Sequence, residues 1–278
     1  MINVLVPTDF SENSWNAIKY GVQFFQKELV TFYLLHVSFF DSPDSSKDAV
    51  ANGIVLDVYN GTEVGDQLQQ IIDRIEALFF RTNHKFYAVH EQSLFIDGIK
   101  HTVDKKKIDF ILMGTKGASG LKEVAIGSRT GEVITRVKCP TLVIPEHAVY
   151  TKPKRIVFPT DFNSYYKNKV LLTLAEIMSI NDAWIHILHV TKKNHKLSPL
   201  QVETKEFLDD FLIDKPHQFH FQNSDDLQNA LSTFIQDEQI DMIAMVAKNI
   251  NFFQRLLFKP SVATISYHTR IPFLVLHE

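Results

Sequence analysis

The strongest constraint on this chain is that it says the same thing twice. Ile2-Asn3-Val4-Leu5-Val6-Pro7-Thr8-Asp9-Phe10-Ser11 returns as Lys154-Arg155-Ile156-Val157-Phe158-Pro159-Thr160-Asp161-Phe162-Asn163. Leu34-Leu35-His36-Val37 returns as Ile187-Leu188-His189-Val190, and the apolar run after Cys139-Pro140 returns after Ile271-Pro272. Three echoes in one order mean a tandem duplication, so any fold must be built from a unit of about half the 278 residues. Lys, Thr and Pro interrupt the apolar pattern near His147 to Pro153, which divides the chain into modules 1–148 and 153–278.

Within the first module, short apolar runs alternate with stretches of helical periodicity. Strands are expected at 2–7, 31–37, 85–90, 108–113 and 141–145, and helices at 12–27, 63–81, 95–106 and 128–137, with a loop-like segment at 39–61. Ser11 reads as the N-cap of the first helix. Strands alternating with helices imply a parallel sheet covered on both faces, so the expected class is α/β, two tandem doubly wound domains.

Glycine separates the copies. All ten glycines lie at or before Gly131. Gly114, Gly117 and Gly120 recur at three-residue intervals after the fourth strand, and Gly127-Ser128 opens a helix. Glycines let backbone N–H groups approach an anion closely, and a helix N-terminus adds partial positive charge. In the second copy Gly114, Gly117, Gly120 and Gly127 become Val246, Asn249, Phe252 and Lys259, and Ser128 becomes Pro260. A phosphate cradle is therefore expected in the first module and a dead site in the second.

The composition excludes other classes. Basic residues number 29 against 32 acidic, a net charge of −3 that gives no reason to expect nucleic acid as a partner. Lys105-Lys106-Lys107 and Lys152-Pro153-Lys154-Arg155 read as solvated helix end and linker. The twelve histidines lack metal-ligand spacing, so no metal site is expected. The single cysteine, Cys139, excludes an intrachain disulfide, reads as a buried small hydrophobe, and fits a reducing compartment. With no signal-peptide pattern and no apolar run of spanning length, the expectation is a cytoplasmic protein away from membranes.

The glycine stretch is neither a Walker A loop nor a dinucleotide fingerprint. Its spacing, Gly114-x2-Gly117-x9-Gly127-Ser128, together with Pro7-Thr8-Asp9 and the Cys-Pro last strand, resembles the ATP-binding branch of the universal stress protein family. The resemblance covers almost the whole chain and implies strand order 3-2-1-4-5 in each module, with the ligand beyond strands 1 and 4. It implies that the Pro7-Thr8-Asp9 turn belongs to the binding site with Asp9 on the ribose side, that Val37 lines the adenine, and that Met113 and Gly114 border the adenosine. Gly117, Gly127 and Ser128 would hold the phosphates. Arg129, where the family often has an apolar residue, either adds charge to the phosphates or points into solvent. Asp9 has a second reading as an N-cap, and His36 and His189 read as packed histidines.

The implied function is a stress-response regulator that binds an adenine nucleotide (ATP, ADP or AMP, with Mg2+ arriving on the phosphates) in the first module. A slow ATP hydrolase and an interaction module with a vestigial site are the alternatives; no residue is assigned as a catalytic base. Family modules dimerise through their last strands, so the fused copies are expected to form an intrachain pseudo-dimer, strands 141–145 and 273–277 meeting antiparallel. Association of two chains and an unidentified protein partner stay open.

Overall fold

The computed structural model describes residues 1–38, 63–80, 83–115, 127–163, 165–191, 196–247 and 270–278. These group into two compact units, one holding the described residues up to 115 with Gly127–Cys139, the other running from Pro140 to Glu278.

The first unit begins with β1 (Ile2–Pro7) and α1 (Glu12–Phe24), followed by β2 (Val30–Ser38) and α2 (Glu63–Leu78). It continues with β3 (Lys85–Gln92), α3 (Phe95–Lys106), β4 (Phe110–Gly114) and α4 (Ser128–Arg136). The strands lie in the order β3-β2-β1-β4, and every pairing of β1 and β2 is parallel. Helices cover both faces, so the central strands are mostly apolar and buried; β1 is buried over Val4 to Pro7 and β4 over Phe110 to Met113. Period-two alternation then sorts side chains by face. Leu5, Leu35, Ile111 and Met113 join Ile96 and Ile99 of α3 and Val133 of α4 in one core, with Cys139 buried beside them. On the opposite face Phe25, just past α1, meets Phe32 and Phe110 with ring centroids 6.4 and 5.7 Å apart.

Local chemistry explains the element ends. Ser11 caps α1 as expected: its Oγ accepts the Ser14 N–H at 3.2 Å. The helix stops at Phe24 rather than 27: the Phe25 N–H still makes the helical bond to the Gly21 carbonyl, but the Gln26 and Glu28 N–H groups turn to the carbonyls three residues back, Gln23 and Phe25, which ends the α pattern. Lys105 and Lys106 sit in the last turn of α3, where their charge complements the helix dipole. Lys107 follows in the left-handed region at φ 51°, and β4 starts two residues later than expected.

Gly21 has a packing reason. A Cβ there would lie 2.1 Å from Leu112 Cδ2, so the missing side chain is what lets α1 rest on β4.

The second unit comprises β5 (Thr141–Ile144), β6 (Arg155–Pro159), α5 (Asn168–Asn181), β7 (Trp184–Thr191), α6 (Pro199–Phe211), β8 (His217–Asn223), α7 (Leu227–Asp237), β9 (Met242–Val246) and β10 (Phe273–Leu276). Its strands run β5-β10-β9-β6-β7-β8. Read from the far edge, the strands after β5 are in the order third, second, first, fourth, fifth, as expected. β5 pairs antiparallel with β10, Leu142 opposite Leu274, and that expectation is borne out too. The Lys152–Arg155 segment is not simply a solvated linker. Lys152 Nζ reaches Asp182 Oδ2 at 2.5 Å, and Lys154 Nζ reaches the Asn181 carbonyl at 3.1 Å, both at the C-terminal end of α5.

Candidate functional site

β1 pairs with β2 on one side, Pro7 opposite Leu35, and with β4 on the other, Leu5 opposite Ile111. α1 rests on Leu112 and α4 shares a core with Ile111, on opposite faces of β4, so β1 and β4 meet at the point where the strand order reverses, the place where ligands bind in sheets of this class. Pro7, Thr8 and Asp9 stand at one strand end; Met113 and Gly114 stand at the other.

The turn after β1 is tightly specified. The Thr8 N–H donates to the Leu35 carbonyl at 2.8 Å, and the Thr8 hydroxyl pairs with Ser14 Oγ at 3.0 Å and accepts the Phe10 N–H at 3.1 Å. Asp9 does not cap α1. Its Oδ1 accepts the Ser11 N–H at 3.2 Å and the Ser11 hydroxyl at 2.6 Å, an Asx turn that holds the true cap in place. Phe10 sits at φ 63°, a left-handed conformation that costs a bulky residue about 1–3 kcal/mol. It stacks on His36, centroids 4.6 Å apart, and His36 Nδ1 bonds the Thr8 carbonyl at 2.9 Å.

Opposite this turn, the β4 end is stitched to α4. Gly127 is the N-cap residue of α4 and offers no side-chain hydrogen bond to its first turn. The Gly127 N–H bonds the Thr115 carbonyl, and Thr130 Oγ1 donates to the Gly114 carbonyl at 2.8 Å. Those two bonds fix where the positive end of α4 lies relative to β4. Gly114 has no room for a side chain without displacement: a Cβ would lie 2.9 Å from both polar atoms of the Asn13 amide. Gly117 and Gly120 lie outside the described residues.

The remaining expected residues divide by face. Val37 belongs to the core beneath α3, its Cγ2 3.2 Å from the place a Cβ on Gly98 would take. Met113 is in the same core. Ser128 and Arg129 are exposed in the first turn of α4, and the Arg129 guanidinium lies 5.2 Å from the Phe95 ring centroid on the α3 side. On the other face His90 Nε2 bonds Ser38 Oγ at 2.7 Å, and its ring lies 6.0 Å from that of His36. Burial first, and the neighbouring His36 second, hold the His90 pKa below its usual 6.5. Among the described residues no group of three or more His, Cys, Asp or Glu could hold a metal ion, and no helix is long and apolar enough to cross a membrane.

Thr130 and His36 are the residues that sequence reasoning did not assign to the site. His36 carried a signal, since His-Val recurs at 189–190, but its bonding partner is 28 positions away.

Comparison with known proteins agrees with this fold. Universal stress protein MJ0531 of Methanocaldococcus jannaschii is 25% identical over 156 residues, which is 55% of this chain and 83% of that protein. Universal stress protein MJ0577 of the same organism is 26% identical over 161 residues, 51% of this chain and 93% of that one. A universal stress protein from Archaeoglobus fulgidus DSM 4304 has a similar fold over 99% of this chain and 96% of its own, with TM-score 0.65 and 18% identity. The sequence pattern of the universal stress protein family matches residues 1–145, and with a sheet of this topology beneath that match, the chain belongs to that family.

Proposed function

We propose that the first module, residues 1–148, binds an adenine nucleotide and that its occupancy makes the protein a stress-response regulator, with the second module, 153–278, as structural partner. The observation that carries the reading is the pair of strand ends at which the sheet order reverses, β1 and β4. One ends in a carboxylate on a tightly bonded turn, and the other in a glycine tied to a helix start that lacks a side-chain cap. A carboxylate accepts ribose hydroxyls, and having up to four acceptor sites it can do so while bonded to Ser11. The first-turn N–H groups of α4, beginning at Ser128, suit phosphate oxygens, and the Gly127 N–H, bonded to the Thr115 carbonyl, holds that turn in place. Val37 and Met113, on the α3 face, supply apolar surface for a base. Mg2+ would enter on the phosphates, which already carry its oxygen ligands. The residues present therefore fit the ligand. We place the protein in the cytoplasm, with any pairing of two chains secondary to the β5–β10 contact within one.

Equilibrium binding of the purified chain to ATP, AMP and flavin mononucleotide tests this. ATP and AMP are expected to bind and the flavin not to, and Gly117→Phe is expected to remove ATP binding while leaving the chain folded. No adenine-nucleotide binding, or equal binding by Gly117→Phe, overturns the reading.

A further inference from the structure

The two copies share more than a sequence echo. In the second unit the Thr160 N–H donates to the Leu188 carbonyl at 2.9 Å, and the Phe162 N–H donates to Thr160 Oγ1 at 3.0 Å. Asp161 Oδ1 accepts the Asn163 N–H at 3.0 Å, and His189 Nδ1 bonds the Thr160 carbonyl at 2.9 Å. Phe162 lies at φ 55° and stacks on His189 with centroids 5.0 Å apart. These bonds and this stack repeat those of the Thr8-Asp9-Phe10 turn with His36; the Ser11 hydroxyl bond to Asp9 has no counterpart at Asn163, and Tyr166 takes the place of Ser14 on the threonine hydroxyl. The repeat extends to the backbone sign of a phenylalanine, so the histidine and the turn form one device rather than a chance packing.

The copies differ in what surrounds the device. Phe162 is fully buried, with Phe219 and Phe221 6.2 and 6.4 Å away, and Gln201 Nε2 donates to the Asp161 carbonyl at 2.8 Å. Phe10, Asp9 and His36 are only half-buried. The difference lies at the stacked rings, Phe162 and His189 being buried where Phe10 and His36 are half-buried; the carboxylates are both open to solvent, Asp161 exposed and Asp9 half-buried.

We propose that His36 is a positioning residue for the nucleotide site: it holds the Thr8–Phe10 turn so that Asp9 presents its carboxylate to the ligand's ribose diol. The proposal rests on the nucleotide reading given above. A carbonyl can only accept, so Nδ1 of His36 carries the proton in that bond. The donor fixes the Thr8 peptide, and the ring supports Phe10 in its left-handed conformation. Asp9 is the one residue between these two held points. His36 acts through the turn and touches no reacting atom.

Two substitutions separate the parts. His36→Asn keeps an N–H donor at the position of Nδ1 and removes the ring; His36→Phe keeps a stacking ring and removes the donor. The readout is the ratio of affinities for ATP and 2′,3′-dideoxy-ATP, measured in the full chain. His36→Phe is expected to reduce that ratio about tenfold, the scale of one hydrogen bond to a charged group, chiefly by weakening ATP. His36→Asn is expected to keep most of it. His189→Phe, which breaks the same contact in the second unit, is expected to lower the melting temperature and leave the ratio unchanged. An unchanged ratio in His36→Phe, or an equal fall in His189→Phe, overturns the proposal while leaving the nucleotide reading intact. If the unaltered chain binds no ATP, the nucleotide reading falls and the ribose role falls with it. Amide exchange at Phe10 and Ser11 then decides whether His36 holds the turn: faster exchange in His36→Phe supports that holding role, and unchanged exchange overturns it.

Discussion

Replacing Gly21 by alanine sets two known effects against each other. In an open helix the change stabilises by about 0.8–1 kcal/mol, because glycine loses more backbone entropy on folding. Here the new methyl would start 2.1 Å from Leu112 Cδ2, against the ~3.5–4.0 Å of an ordinary carbon contact. Leu112 is completely buried and cannot swing into solvent, so either it leaves its rotamer or α1 rises from β4. Overpacking of that kind costs about 1–3 kcal/mol, which outweighs the helical gain and leaves a net loss of about 1 kcal/mol. Urea denaturation should show it as a lower midpoint at unchanged slope. Leu112→Ala alone should cost about 2–5 kcal/mol, and the double variant less than the sum, since the added methyl enters the space the leucine leaves. Because β4 ends two residues beyond Leu112 at Gly114, ATP affinity should fall in Gly21→Ala and recover in the double variant. A Gly21→Ala chain more stable than the parent, or strictly additive effects, would refute the close approach of α1 and β4.

Ser11→Ala should cost about 1 kcal/mol as a lost helix cap, and should weaken ATP as well, since Ser11 also bonds Asp9; an unchanged denaturation midpoint would show the cap to be idle. Thr130→Val should leave α4 helical by circular dichroism but reduce ATP affinity several-fold, because the donor to the Gly114 carbonyl is gone. Acid should destabilise the chain in a defined window. Burial lowers the pKa values of His84, His90, His186 and His220 from 6.5, so each favours the fold when neutral. That stability is complete above about pH 6.5 and is lost as pH falls through the lowered folded values. His186 Nδ1 and His220 Nε2 lie 3.0 Å apart, a bond that needs one bare nitrogen, so His220→Phe should flatten the acid limb of midpoint against pH. An unaltered limb would count against the pair.

The parts of the fold that were legible in the sequence are those whose cause is local or repeated. Ser11 announces a helix start by its own chemistry, and the alternation of apolar runs gives the parallel sheet because burial on both faces demands it. The Cys-Pro and Ile-Pro runs announced β5 and β10 as strands, and the resemblance to the family supplied their pairing. What stayed hidden depends on partners far along the chain. Nothing in the composition of α1 says that Gly21 faces Leu112, and nothing near Thr130 says that its hydroxyl is spent on Gly114. Asp9 was legible as important but not in its bonding: an Asx turn and an N-cap use the same residue type within two positions. Arg129 shows a third limit, since its place over Phe95 depends on how α3 and α4 pack.

The antiparallel pairing of β5 with β10 bears on how this protein behaves on dilution. A strand edge that must find a partner in another molecule is protected only while that molecule is near, and its melting point then follows protein concentration. Here Thr141 to Val143 find their partners in Phe273 to Val275 of the same chain. The edge is closed at any concentration, so scarcity of the protein leaves that part of the fold as secure as abundance does.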